Sequence, residues 1–172
     1  MKYGIALFPN KTIQDVANSY RKRYDTHYAL IPPHITLKEP FELIDDERDE
    51  LILNLKKIAN KTKPFQISIQ KVSSFQPLSN TIYLKVEPVD ELTTLHEKLH
   101  TGKLPNNRKH PFVPHITIGQ NMNDVEFSDV YATCRMQKFN LKDTIDRFQL
   151  LYQLENGSWT VYETFVFGDE KI

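Results

Sequence analysis

The sequence predicts an α+β protein: a single domain, residues 1–172, built from two similar lobes. Three observations carry this expectation. Apolar residues alternate between period two and period 3.6 along the chain. The order strand-helix-strand-helix occurs early and recurs later. One short segment, Pro-His-Ile-Thr-aliphatic, stands at corresponding places in both copies. Residues 33–37 read PHITL and residues 114–118 read PHITI, with the two histidines 81 positions apart.

Taken in order, Tyr3 to Phe8 reads as a buried strand. From Lys11 to Tyr24 the period changes, and Ile13, Val16, Ala17, Tyr20 and Tyr24 mark an amphipathic helix. Prolines bracket a short strand over His34 to Lys38. Asp45 and Asp46 open a second helix, whose buried face carries Leu51, Leu55 and Ile58. Phe65, Ile67 and Ile69, then Ile82, Leu84 and Val86, predict two strands joined through the loop-like SSFQPLSN. Asp90 is the expected cap of a third helix with Leu92, Leu95 and Leu99, and Gly102 its expected end. TGKLPNNRKHP reads as a surface loop, and VPHITIGQ as the second motif strand. Val125, Phe127, Val130, Tyr131 and Cys134 fit a fourth helix starting near Asn123 or Asp124. Phe148, Leu150, Tyr152 and Leu154 alternate, Asn156-Gly157 supplies a hairpin turn, and Trp159, Val161, Phe165 and Phe167 alternate back.

Hydrophobic residues at 40% suffice for a core. Lys and Arg number 22 against 22 Asp and Glu, so there is no basic excess of the kind that binds long nucleic acid. A small phosphate-bearing ligand, needing only local donors, stays compatible. The single cysteine, Cys134, forms no internal disulfide and builds no zinc cluster alone, which fits a reducing cytoplasm. The apolar stretch Gly4 to Phe8 is too short for a signal-peptide core or a membrane span, and no later stretch comes close. A soluble, cytoplasmic protein with no membrane partner is expected; the sequence leaves its oligomeric state open.

The repeated segment carries the chemistry. Side chains alternate across a strand, so His34, Thr36 and Lys38 are expected on one face, with Ile35 and Leu37 on the other. His115, Thr117 and Gly119 likewise share a face, opposite Ile116 and Ile118. Adjacent motif strands would line one cleft with two imidazoles and two hydroxyls. That set suits a phosphodiester. Histidine titrates near neutrality, so one ring takes a proton from water while the other gives one to the leaving alkoxide. The hydroxyls of Thr36 and Thr117 can bond the non-bridging oxygens, Lys38 can add positive charge, and Gly119 can admit substrate closely. The scheme needs no metal and no cofactor, and it predicts a bell-shaped pH–rate profile. A single His-x-Thr is commonplace in strands; two copies matching over five positions are not.

The two motifs, His34-Ile-Thr36-Leu and His115-Ile-Thr117-Ile, resemble those of the two-histidine (2H) phosphoesterase superfamily. MKYGIALFP, LIPPHITLKEPF, FVPHITIGQ and LLYQLENGSWTVYETF are similar to its YjcG-type branch from Firmicutes, so the resemblance covers essentially the whole chain. It implies two antiparallel sheets flanked by helices, pseudo-two-fold symmetry and a central cleft. It implies 2',3'-cyclic phosphates or 2',5'-linked nucleotides or RNA ends as substrates, hydrolysed or, in some members, joined. It gives His34 the role of proton donor and His115 that of proton acceptor. The two copies themselves are too alike to fix that order.

Other residues have plainer explanations. His96 and His100, at i and i+4, have metal-binding spacing, but no carboxylate or cysteine motif completes a site, so a helix surface is expected. His27 and His110 read as solvated, and Cys134 as core. Phe41, Phe75, Tyr83 and Tyr152 could stack on a base, though core packing is the ordinary explanation. Ser73 and Ser74 are candidates for the cleft rim. DDERDE at 45–50 reads as a solvated helix start, and YRKRY at 20–24 as a solvated basic face able to meet RNA phosphates. Three alternatives stand beside hydrolysis at this site: a module that binds a phosphate ligand or RNA end without turnover, 2',5' RNA ligation in the same cleft, and metal-assisted hydrolysis through His96 and His100.

Overall fold

The computed structural model describes residues 1–102, 104 and 106–168. Strands β1 (Lys2–Leu7), β2 (Ile35–Glu42), β7 (Arg147–Gln153) and β8 (Trp159–Val166) form one antiparallel sheet in the order β2-β1-β7-β8. Strands β3 (Phe65–Ser74), β4 (Ile82–Val86), β5 (His115–Gly119) and β6 (Lys138–Ile145) form a second, in the order β5-β4-β3-β6. Helices α1 (Lys11–Tyr24), α2 (Asp45–Asn60), α3 (Asp90–Lys98) and α4 (Asp124–Cys134) flank them. Both motif strands, β2 and β5, are edges of their sheets, and they approach within 8 Å at Cα. One contiguous cluster of buried side chains spans both sheets, from Ile5, Leu7 and Ile35 to Ile69, Leu84 and Ile116. Among the described residues no helix is long and apolar enough to cross a membrane.

The helix starts follow from local chemistry. The Asn10 side chain accepts from Ile13 N at 3.0 Å, and the Asn123 side chain from Glu126 N at 2.8 Å, each satisfying an end N–H that α1 or α4 cannot pair internally. The Glu47 carboxylate accepts from Ile44 N at the start of α2. Asp90 does not cap α3. It is the first helical residue after Val89, where its charge faces the positive end of the helix dipole. Gly102 takes φ +67 after that helix, as expected. In the following loop, Lys103 and Pro105 lie outside the described residues.

Four other expectations need correction. Strand β6 is additional, and Asp143 interrupts its otherwise apolar alternation of Phe139, Leu141 and Ile145. Ser73 and Ser74 end β3 instead of sitting in a loop. At the β7–β8 hairpin only Gly157 takes positive φ, at +88, while the Asn156 side chain accepts from Ser158 N and Oγ. Strand β2 runs on through Pro40, which an edge strand tolerates because one side of it needs no ladder N–H.

Helices cross over to the opposite sheet. Helix α1, which leads into β2, packs on β5, and Gln120 N donates to Tyr24 O at 3.0 Å. The end of α3, which leads into β5, meets β2, where Lys38 Nζ donates to Leu99 O at 3.0 Å. A Cβ on Gly119 would lie 3.2 Å from Tyr24 Cβ and 3.0 Å from Met122 Cε. That position admits the neighbouring helix end, not a ligand.

His96 and His100 are buried, at 7% and 4% exposure, not on a helix surface. His96 stacks on Phe112 at 3.9 Å, and His100 Nδ1 bonds His96 O at 2.8 Å. Burial lowers the pKa of His96 to about 4 and lowers that of His100. A buried imidazole stays neutral while its unfolded counterpart charges. The unfolded chain therefore binds more protons between pH 6.5 and about 4, and stability falls as pH falls through that window. His96→Leu is expected to remove about 3 kcal/mol of this acid sensitivity, measured by urea unfolding from pH 7 to 4.

Arg21 is 2% exposed and pairs with the equally buried Asp25 side chain through Nε to Oδ2 at 3.0 Å, so YRKRY is not wholly a solvated face. Removing one partner strands a buried charge. Asp25→Ala is expected to cost about 3–5 kcal/mol in unfolding free energy, measured by chemical denaturation.

Candidate active site

His115 opens β5 and His34 immediately precedes β2, each with its ring held by its own chain. His34 Nδ1 lies 2.8 Å from Pro32 O, and His115 Nδ1 lies 2.7 Å from Val113 O. A carbonyl only accepts, so Nδ1 carries the proton in both rings and Nε2 presents the lone pair. The Pro-x or x-Pro turn before each strand thus fixes tautomer and ring plane together. Phe8 packs against His34 at 6.5 Å between centroids. Phe75 and Tyr83 pack against His115 at 4.9 and 5.2 Å, so two of the four aromatic candidates do reach the site. Phe41 instead packs on Tyr3, and Tyr152 on Tyr162.

Thr36 and Thr117 are half-buried on the non-core faces of β2 and β5, opposite Ala6 and Tyr83. Lys38 is not beside them. Thr36 pairs with Ala6, but Lys38 pairs with Ile5, so two steps on β2 match one on β1. This bulge at Leu37 turns Lys38 to the core side, where it is 1% exposed on the carboxyl end of α3. The expectation that Lys38 binds substrate phosphate is therefore corrected. Desolvation, then the Arg108 charge, lowers its pKa to about 8.

Both histidines are less basic than a free imidazole. Desolvation lowers His34 to about 4, with further lowering from the Arg21 and His115 charges, while the Pro32 bond and Asp25 oppose it. Desolvation lowers His115 as well, against the Val113 bond. The strands that carry them, β2 and β5, approach within 8 Å at Cα, and the charge of His115 is among the causes that lower His34.

A buried network supports this site. Asp25 Oδ1 accepts from Gln120 Nε2 at 2.7 Å and His27 N at 2.8 Å. Arg21 Nη2 donates to Ile31 O at 2.6 Å, just before Pro32-Pro33-His34. The i,i+4 spacing of Arg21 and Asp25 was the available sequence signal, hidden inside a run that resembles an ordinary basic surface. Among the described residues no three His, Cys, Asp or Glu side chains group as metal ligands. His27 and His110 are exposed, and Cys134 is buried. Among the described residues, two open surface cavities of about 550 and 310 Å³ lie against α3 with the 106–112 segment and against α2 with the end of α3.

Residues 9–157 match the 2'-5' RNA ligase superfamily. A protein of Oceanobacillus iheyensis provisionally named a phosphoesterase is 61% identical over 98% of this chain and 99% of its own length. One of Geobacillus sp. strain WCH70, named in the same way, is 60% identical over 99% of both. The fold matches that of Escherichia coli LigT without ligand at TM-score 0.73, with 17% identity and 96% of both chains covered. LigT complexed with 3'-AMP matches at 0.71, with 16% identity over 96% of this chain and 97% of that one. TT0787 of Thermus thermophilus matches at 0.71, with 18% identity over 99% of this chain and all of that one. The paired motifs, the two edge strands that carry them and these likenesses agree: the chain belongs to the 2'-5' RNA ligase superfamily of two-histidine phosphoesterases.

Proposed function

We propose that the protein is a phosphodiesterase that opens a 2',3'-cyclic phosphate or a 2',5' linkage on a nucleotide or short RNA end. The observation that carries this is the pair of imidazoles, each locked as the Nδ1–H tautomer by a carbonyl two residues upstream, each offering Nε2. Support also comes from LigT, a structural neighbour complexed with 3'-AMP in one structure and with phosphate in another.

In this mechanism water attacks phosphorus and gives its proton to His115 Nε2. The bond from phosphorus to the ribose oxygen breaks, and that oxygen takes a proton from His34 Nε2. The Thr36 and Thr117 hydroxyls donate to the non-bridging oxygens, where negative charge grows. No metal or cofactor enters the scheme.

The assignment of His34 as donor requires an imidazolium, yet burial holds its pKa at about 4 before substrate arrives. An anionic phosphate bound beside it favours the charged ring and raises that pKa. The sign follows. In the free enzyme the imidazolium is lost as pH rises through the depressed value. The kcat/KM profile is therefore expected to be bell-shaped with its maximum below pH 6.5, and the alkaline limb of kcat to lie at higher pH than that of kcat/KM. A plateau extending through neutral pH without an alkaline limb contradicts the mechanism.

His34→Ala and His115→Ala are each expected to lower kcat on 2',3'-cyclic nucleotides by roughly 10²–10⁴-fold, with chelator leaving wild-type turnover unchanged. Turnover indifferent to either histidine refutes the proposal.

A further inference from the structure

The non-core face of the second sheet carries a line of cations that the reaction at the two histidines does not use. Residues directly opposite in an antiparallel pair share a face. His115 lies opposite Lys85, Lys85 opposite Lys71, and Lys71 opposite Lys138. The row His115-Lys85-Lys71-Lys138 therefore crosses all four strands, β5-β4-β3-β6, on the face that holds Thr117. Core residues confirm the parity, since Ile116, Leu84 and Val72 occupy the other side. Strands sit about 4.8 Å apart, so the three lysines stand roughly 5, 10 and 14 Å from His115.

The fold gives no reason for this row. Like charges directly opposite one another destabilise a sheet. Among the described residues none of the three ammonium groups has a carboxylate oxygen within 4.0 Å. Protection of an edge strand explains a lysine on β6. It does not explain Lys71 and Lys85 on the inner strands β3 and β4. On the other sheet the line through Thr36 opposes Ala6, Gln149 and Thr164 in turn, and the nearest cation on that face, Arg147, is paired with Asp146. The lysine row thus lies on the β5 side of the two histidines, in a chain whose total charge is zero.

We propose that Lys85, Lys71 and Lys138 form a backbone-phosphate track, and that the substrate is a single-stranded oligonucleotide end of about three to five nucleotides rather than a mononucleotide. This rests on the proposed function and deepens it by naming the substrate's size. With the terminal phosphate at His34 and His115, the preceding phosphates follow β4, β3 and β6 away from the site. Such a track binds through charge and reads no sequence.

The test separates binding from turnover. Binding of a five-nucleotide RNA ending in a 3'-phosphate is compared with that of uridine 3'-phosphate, for wild type and Lys71→Ala/Lys138→Ala, from 50 to 300 mM salt. The wild type is expected to prefer the five-mer, with a log-log salt slope of about −2 from three contacts. The variant is expected to lose roughly tenfold in five-mer affinity. Its slope is expected to fall to about −1. Its melting temperature should be equal or higher, because like-charge repulsion is relieved. Equal wild-type affinity for both ligands, or a variant with unchanged five-mer affinity and slope, overturns the track. Turnover of a five-nucleotide RNA ending in a 2',3'-cyclic phosphate by wild type reports separately: its absence sinks the proposed hydrolysis and leaves the binding result to decide the track.

Discussion

The buried pair of Arg21 and Asp25 is the constraint on which the rest depends. Neither group can be hydrated at such burial, so each must be satisfied by protein, and the groups that satisfy them come from distant parts of the chain. Asp25 takes Gln120 from the end of one motif strand. Arg21 takes the Ile31 carbonyl at the entry to the other. One ion pair thereby ties the second motif to the turn that aims the first. The same loop reaches the β7–β8 hairpin, where Trp159 N donates to Leu30 O. The cost of an unpaired buried charge turns this geometry into a specification, because a shift of either lobe breaks a charged hydrogen bond.

The lobes repeat a plan without repeating its chemistry. Each motif strand is an edge, and each is met by the carboxyl end of the helix from the other lobe. At one junction a lysine ammonium lies on a helix-end carbonyl; at the other a backbone amide does, beside a glycine that allows the approach. Both devices satisfy carbonyls that the last turn of a helix leaves open. The charge distribution is asymmetric as well. Arg21 lies close enough to His34 to depress it, while His115 is bounded by Phe75 and Tyr83. Two nearly identical pentapeptides thus stand in different fields, which is the physical basis on which donor and acceptor roles can diverge.

The motif strands and their histidines were legible because the signal is local. Strand parity, a proline turn and a carbonyl two residues upstream all act within five residues, and His34, Thr36, His115 and Thr117 sit on the faces that parity assigned. Parity failed at Lys38, where one extra residue at Leu37 reversed the face. It failed in a different way at His96 and His100. Their helix was legible, but Phe112, which covers His96, arrives from another segment of the chain. Strand β6 was lost because Asp143 interrupts its apolar alternation, and its pairing with β3 supplies the ladder that the pattern concealed.

The sequence by itself determined every element but β6, their doubled order and the chemical equipment of the two motifs, since these follow from backbone periodicity and side-chain type. Tertiary structure decided what those groups face: that Arg21 is a buried strut, that Lys38 caps a helix, that Gly119 makes room for Tyr24, and that three lysines far apart in the chain fall into one row. The reason is that facing depends on register. Register is a sum over every pairing and bulge between strands, and no window of sequence contains both strands of those pairs.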